Sequence, residues 1–394
     1  MIVDRAWAER NLGFNPITTP APASTFAFSP AAKPSASIED YEREIIDFDS
    51  EAPQGMAFLA FTNTTGLSRF TEIPWEKELA PKTDRQARTA QGGRLPPADV
   101  LVVTWTVDEG HALSRVLTPG KDSRNDYRSY THNYAAISKK MRKGCPAVQA
   151  KRLGAYWTAK IGGKKVVVFK SDSHLSQDTP KALKDTPEFL KKYGTLPNQD
   201  VWRQIIQEVN PKLVITTGTA GGIGKEFEVG DVVVSPIVRF DCTKWLKLKP
   251  YLGAHYQDGT PNTKYFAKAE ALFKWNSAQL PKDNKRDPRI VQSRRLSSSV
   301  VTTDFFGFDT SKNTFGLQGL GDASEMGDAV LGMVISQMGS KAPRWVAVRN
   351  VSDPQIKSEG TIKDQAALAA QIYKGYGRWS SVCSAIVCWA LIAA

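Results

Sequence analysis

The chain has 394 residues, 41% hydrophobic and 23% charged, a soluble globular balance with enough length for one large or two ordinary domains. Its 52 Lys and Arg against 40 Asp and Glu leave a formal charge of +12. The excess is spread over segments such as KKMRKGCPAVQAKR (139–152) and KWLKLK (244–249) instead of forming a stripe interleaved with aromatics, so nucleic acid is not a favoured partner.

Four cysteines without CxxC spacing and four scattered histidines argue against a metal site and for a reducing, cytoplasmic setting. The opening MIVDRAWAERN lacks the apolar core of a secretory signal. The closing VCSAIVCWALIAA is shorter than the ~20 residues that span a bilayer, so it is expected to bury against the core rather than enter a membrane.

Residues 1–97 hold ten of the 23 prolines, and the shift in composition after them sets off an N-terminal appendage from a domain over 98–394. Within the appendage, 10–38 are expected to be extended and mobile. SIEDYEREIIDF opens with an N-cap-like Ser and reads as a short helix, and MAFLAFT (56–62) as a strand.

After PPADV the pattern alternates. VLVVTWT (100–106) is a continuous apolar run, as in a strand buried on both faces, and HALSRVL follows at helical spacing. VVVFKS (166–171) reads as a strand and VWRQIIQEVN (201–210) as an amphipathic helix. KLVITTG, DVVVSPIVRF and VVTTDFF read as strands, and EMGDAVLGMVISQMG as a helix closed by Gly339. RWVAVRNVSD is a strand with a polar tip, and one or two helices from IKDQAALAAQ close the chain. This alternation implies an α/β fold: a three-layer sandwich whose central mixed, largely parallel sheet is flanked by helices.

VITTGTAGGIGKEFEVGDVVV (214–234) places Gly218, Gly221, Gly222 and Gly224 between two apolar runs. A glycine-rich turn there is either a plain tight connection or a loop that lets another group approach its backbone closely. With RNVSDPQI and ASEMGDAVLG following in the chain, the stretch resembles the nucleoside phosphorylase-I superfamily, in particular its purine nucleosidase branch. The resemblance covers roughly 98–394.

It implies a loop along ribose and purine, with Thr219, Ala220 and Gly221 binding substrate. It implies Asp353, after Ser352 at the strand tip, as the general acid at purine N7. The leaving base carries negative charge, and a positioned proton donor is worth ~10²–10⁴-fold. Such an acid needs a raised pKa, which burial supplies. Alone, Ser-Asp after a strand is also a helix N-cap. In TWTVDEGHAL the resemblance implies that Glu109 positions the attacking water, while the residues themselves equally allow Asp108 and Glu109 to cap the next helix.

In VVTTDFFGF, Phe306 is the implied stacking partner of the base, with at least one of Phe305 and Phe306 expected in the core. In ASEMGD, Met326 matches a ribose-packing Met, but Gly327 stands where relatives carry the Glu that binds the sugar hydroxyls. Asp328 reaching the sugar, Glu325 substituting, or loss of the contact all remain open. A second departure is KSDSHLSQDT, where many relatives have a glycine-rich turn.

The implied activity is hydrolysis of a purine nucleoside or nucleotide to free base without a cofactor, in a homo-oligomer. No Gly-x-Pro-x-Arg phosphate loop follows the first strand, which tilts the resemblance away from phosphorolysis. Lys225, Arg239 and Lys244 would suit a phosphorylated ligand or simply a solvated surface, and Arg115 or Arg239 an inorganic phosphate.

Overall fold

The computed structural model describes residues 1–12, 72–178 and 186–394. The helix expected from Ser37 and the strand expected at 56–62 lie outside the described residues, as does the expected extended segment beyond residue 12.

Among the described residues a mixed sheet of 13 strands forms the middle of the molecule. Its strands are β1 (Lys82–Thr83), β2 (Val100–Thr104), β3 (Arg128–Tyr130), β4 (Gly154–Ile161), β5 (Lys164–Ser171), β6 (Leu213–Gly222), β7 (Val232–Ser235), β8 (Ile237–Asp241), β9 (Leu252–Gln257), β10 (Ile290–Gln292), β11 (Ser299–Thr302), β12 (Gly321–Glu325) and β13 (Arg344–Asp353). Parallel pairing runs through β5, β2, β6 and β13. Antiparallel pairs β4–β5 and β8–β9 lie on its two flanks.

The longer helices are α1 (Arg5–Leu12), α2 (Val107–Leu117), α3 (Thr186–Tyr193), α4 (Pro197–Val209), α5 (Phe266–Ser277), α6 (Asp328–Ser336) and α7 (Ile362–Ala393). They flank the sheet in two groups: α7 packs on α2, α5 and β13, while α6 packs on α4, β8 and β9.

β2 is buried at every residue, which its unbroken Val/Leu run requires between two helix layers. The closing apolar run belongs to the single helix α7, where Cys383, Ile386, Val387 and Trp389 are fully buried. All four cysteines are free and buried. Among the described residues no helix is long and apolar enough to cross a membrane.

Two expected elements differ. The glycine string is not a turn: β6 runs straight through Thr217–Gly222, and Gly221 and Gly222 pair antiparallel with β12. The bend comes at Gly224, whose φ of 106° suits glycine. DVVVSPIVRF is two strands, because Pro236 has no N–H to donate and the chain switches partners there, from β13 to β11. Ser235 clasps the break, its Oγ accepting from Ile237 N at 3.1 Å.

The described pieces of the appendage enter the main core. Val3 and Trp7 are buried, Leu95 is 1% exposed, and Trp75 packs on Trp389 with ring centroids 4.6 Å apart.

Candidate active site

The carboxyl ends of β2, β6, β12 and β13 converge, and a cavity of about 110 Å³ opens there. Strand ends carry exposed backbone and free side-chain directions, which is why open α/β sheets bind ligands at this edge. The cavity gathers Glu109, Thr219, Ala220, Gly221, Phe306, Met326, Ser352 and Asp353, drawn from segments expected in the sequence to bear the site.

Asp353 ends β13 at a register shift after Val351, a bulge that re-aims the tip. Ser352 Oγ donates to Asp353 Oδ1 at 2.8 Å, while Oδ2 has no partner among the described residues. Burial raises its pKa to about 7 against the opposing Ser352 bond. A Cβ on Gly221 would stand 2.9 Å from Oδ2, so glycine there keeps the acid's place open.

Glu109 lies in the first turn of α2. Its Oε2 accepts from Thr106 N at 2.9 Å, and Glu109 N donates to Thr106 Oγ1 at 3.3 Å, closing a capping box. Oε2 also accepts from Thr104 Oγ1 (2.9 Å) and Trp105 N (3.1 Å), and Oε1 from Thr219 N and Oγ1, both 2.7 Å. The helix-cap reading and the cavity placement therefore hold together. Burial would raise its pKa, but the Arg349 charge and the hydrogen bonds outweigh it and hold the carboxyl below its ordinary value.

Arg349 is the charge behind this arrangement. It forks onto Asp328, Nε to Oδ2 at 2.8 Å and Nη2 to Oδ1 at 2.5 Å. Its Nη1 donates to Thr219 O at 3.4 Å, and its guanidinium stacks 4.7 Å over Trp105. Its pKa is raised: the Asp328 and Glu325 charges outweigh a burial that acts the other way. Asp328 is thus a correction to its sugar-binding expectation. It is fully buried behind the wall, with both oxygens spent on Arg349.

Phe306 lines the cavity beside Tyr373, whereas Phe305 packs on Phe315 and stays in the interior. His174 also lines it, in the SDSH turn. Burial and the Lys170 charge lower its pKa to about 4, so the imidazole is neutral. Lys225, Arg239, Lys244 and Arg115 do not line this cavity, and Arg115 borders a different one.

Trp105, Thr106, His174, Ser324, Arg349 and Tyr373 also line the cavity and do not stand out in the sequence as site residues, whereas Glu325, one of the alternatives left open there, lines it too. Arg349 had one signal: a cation inside an otherwise apolar strand needs a buried partner. Tyr373 had none, since its helix shows only its own periodicity.

A cavity at the strand ends of a mixed α/β sheet, walled by three carboxyls and an aromatic face, defines a small-molecule enzyme site. The phosphorylase superfamily model matches residues 131–374, more than half of the chain, so the chain belongs to the phosphorylase superfamily. Asp353 falls inside that match and Glu109 outside it. None of the curated proteins matches the chain.

Among solved structures, 5'-methylthioadenosine/S-adenosylhomocysteine nucleosidase from Neisseria meningitidis, in complex with methylthio-immucillin-A, is 16% identical. That comparison covers 75% of this chain and 99% of that one, with a TM-score of 0.44. Futalosine hydrolase of Helicobacter pylori is 11% identical over 74% of this chain and 96% of that one, at 0.43.

Proposed function

We propose that this chain hydrolyses the N-glycosidic bond of a purine nucleoside, with Asp353 as general acid and Glu109 positioning the water. One observation carries the reading. Of the three buried carboxyls that face one cavity, Asp353 is shifted up to about 7 and Glu109 is held below its ordinary value. A pair pushed apart in this way supplies an acid and an anion at the same pH.

In the step, the bond from C1' to the purine nitrogen breaks and its electrons pass to the base, which takes the Asp353 proton at N7. The sugar carbon becomes cationic and water adds to it. Glu109, held by five hydrogen bonds, stabilises that charge and receives the water's proton. Phe306 and Tyr373 offer the purine an aromatic face. No metal or organic cofactor takes part in this scheme.

The charge inventory favours a nucleoside over a nucleotide. The cavity's one cation among the described residues, Arg349, is already paired with Asp328 and Glu325, and His174 is neutral. The same pairing weighs against phosphorolysis, which needs an anion site.

The test is base release from adenosine, inosine, methylthioadenosine and AMP, with and without phosphate, by chromatography. Free base without phosphate, lost in Asp353→Asn, is the expected result. Release only with phosphate would make the chain a phosphorylase. Nucleoside binding without release by the native chain would make it a binding protein.

A further inference from the structure

The start of α6 brings no acid of its own to the cavity. Gly327 has no side chain, and Asp328 is committed to Arg349 behind the wall. Another carboxyl stands beside the gap. Glu325 ends β12 and lines the cavity. Its Oε1 is fixed from behind by Thr302 Oγ1 and by Asp328 N at 2.9 Å. Its Oε2 has Arg349 Nη2 at 3.3 Å, long for a charge-assisted hydrogen bond, which leaves acceptor capacity.

The two residues share one space. A Cβ on Gly327 would stand 3.7 Å from Glu325 Oε2 and 3.5 Å from the Trp105 ring. The carboxyl and the indole therefore border, from two sides, the room that a longer side chain at 327 would enter. Trp105 is fixed in turn, with Arg349 stacked on it and Trp202 edge-on at 5.9 Å.

We propose that Glu325 takes over the hydroxyls of the ligand's sugar, in place of a side chain at the helix start, and makes this site selective for ribose over deoxyribose. The proposal rests on the nucleoside reading above. Its geometry is that of a ligand-binding residue held in place: Oε1 is anchored by Thr302 and Asp328 so that Oε2 meets the ligand in one place. A site built to bond a hydroxyl rejects the analogue lacking it, because the buried group is then left unpaired.

The experiment compares adenosine, 2'-deoxyadenosine and 2',3'-dideoxyadenosine on the native chain, Glu325→Ala and Glu325→Gln, with kcat and KM separated. The native chain should prefer the ribose by ~10–100-fold, the range of one or two hydrogen bonds to a carboxyl. Glu325→Ala should bring the ratio close to one, chiefly through KM of the ribose substrate. Glu325→Gln, which keeps a polar end, should retain part of the preference.

Equal treatment of all three substrates by the native chain would overturn the proposal, whether or not the alanine variant folds. So would an alanine variant that loses the same factor on each substrate, the result of a merely structural role through Thr302 and Asp328. Calorimetric binding of the same three ligands separates the two readings. Ribose-selective binding without base release keeps the Glu325 assignment and removes hydrolysis. Base release without ribose preference does the reverse.

Discussion

Gly218 lies directly against Glu109: a Cβ on the glycine would stand 2.5 Å from Glu109 Oε1 and 2.6 Å from its carboxyl carbon. Its φ of 156° falls at the edge of the range that side chains rarely adopt. The glycine in the middle of β6 is therefore what lets the carboxylate reach the Thr219 amide. Gly218→Ala should displace Glu109 and lower kcat at least ~100-fold, the cost of moving a positioned group by about 1 Å. Gly224→Ala is the contrast. The atoms nearest its Cβ would be the end of the Glu226 side chain, outside the cavity, and its φ of 106° suits glycine, so its effect should appear in stability and not in kcat. Steady-state kinetics of both variants checks this, and equal losses of kcat would refute it.

The pH dependence follows from the same two carboxyls. Asp353 donates only while protonated, and its pKa of about 7 lies above that of a free carboxyl. The acid form is complete well below pH 7 and is lost as pH rises through it. Turnover should therefore fall on the alkaline side with a midpoint near 7. Glu109 must be ionised, and its lowered pKa keeps it so well into the acid range. The acid limb should lie below the ordinary carboxylate range. A kcat/KM profile from pH 4 to 9 should therefore show the alkaline limb and no matching fall on the acid side. An alkaline limb that survives in the residual activity of Asp353→Asn would assign it to another group.

The strands that carry the site were readable because their faces are unambiguous. VLVVT and RWVAVRNVSD are too apolar to stand anywhere but inside a sheet, and the Ser-Asp tip marks where the second one leaves it. The glycine string reads in the sequence as a tight connection or as a loop open to close approach, because glycine composition alone does not distinguish a bend from close approach or say what approaches. Here the approach is made by Glu109, over a hundred residues earlier, and by Asp353, over a hundred later. Asp328 was misplaced for a similar reason. The helix start by itself does not say where its acid turns, and only Arg349, arriving on β13, draws it behind the wall. His174 and Tyr373 reach the cavity through tertiary packing that no local period encodes.

The Arg349–Asp328 fork should matter for stability as well as activity. Both side chains are almost wholly buried. Removing one partner of such a pair strands the other charge, at a cost of about 3–5 kcal/mol. Arg349→Met is expected to lose that much in urea unfolding. Arg349→Lys should recover little, since an ammonium cannot fork onto both oxygens and stack on Trp105 at once. The double variant Arg349→Met with Asp328→Leu should be more stable than Arg349→Met alone, because the Asp328 charge is no longer stranded. A double variant no better than the single one would mean the loss comes from packing rather than from the stranded carboxylate.

The appendage should prove structural where it is described. Trp389 in α7 is fully buried, its Nε1 donates to Leu79 O at 2.8 Å, and Trp75 packs on its ring. Residues 75 and 79 thus close over the apolar end of the last helix. Trp389→Ala removes a large core side chain together with its hydrogen bond and should destabilise the chain by about 3–5 kcal/mol. Trp75→Ala, on a half-buried ring, should cost less. The double variant should lose less than the sum of the two single losses, because each ring is the other's contact. Strict additivity in thermal or urea unfolding would mean that the 72–97 segment rests on the helix without helping to hold it.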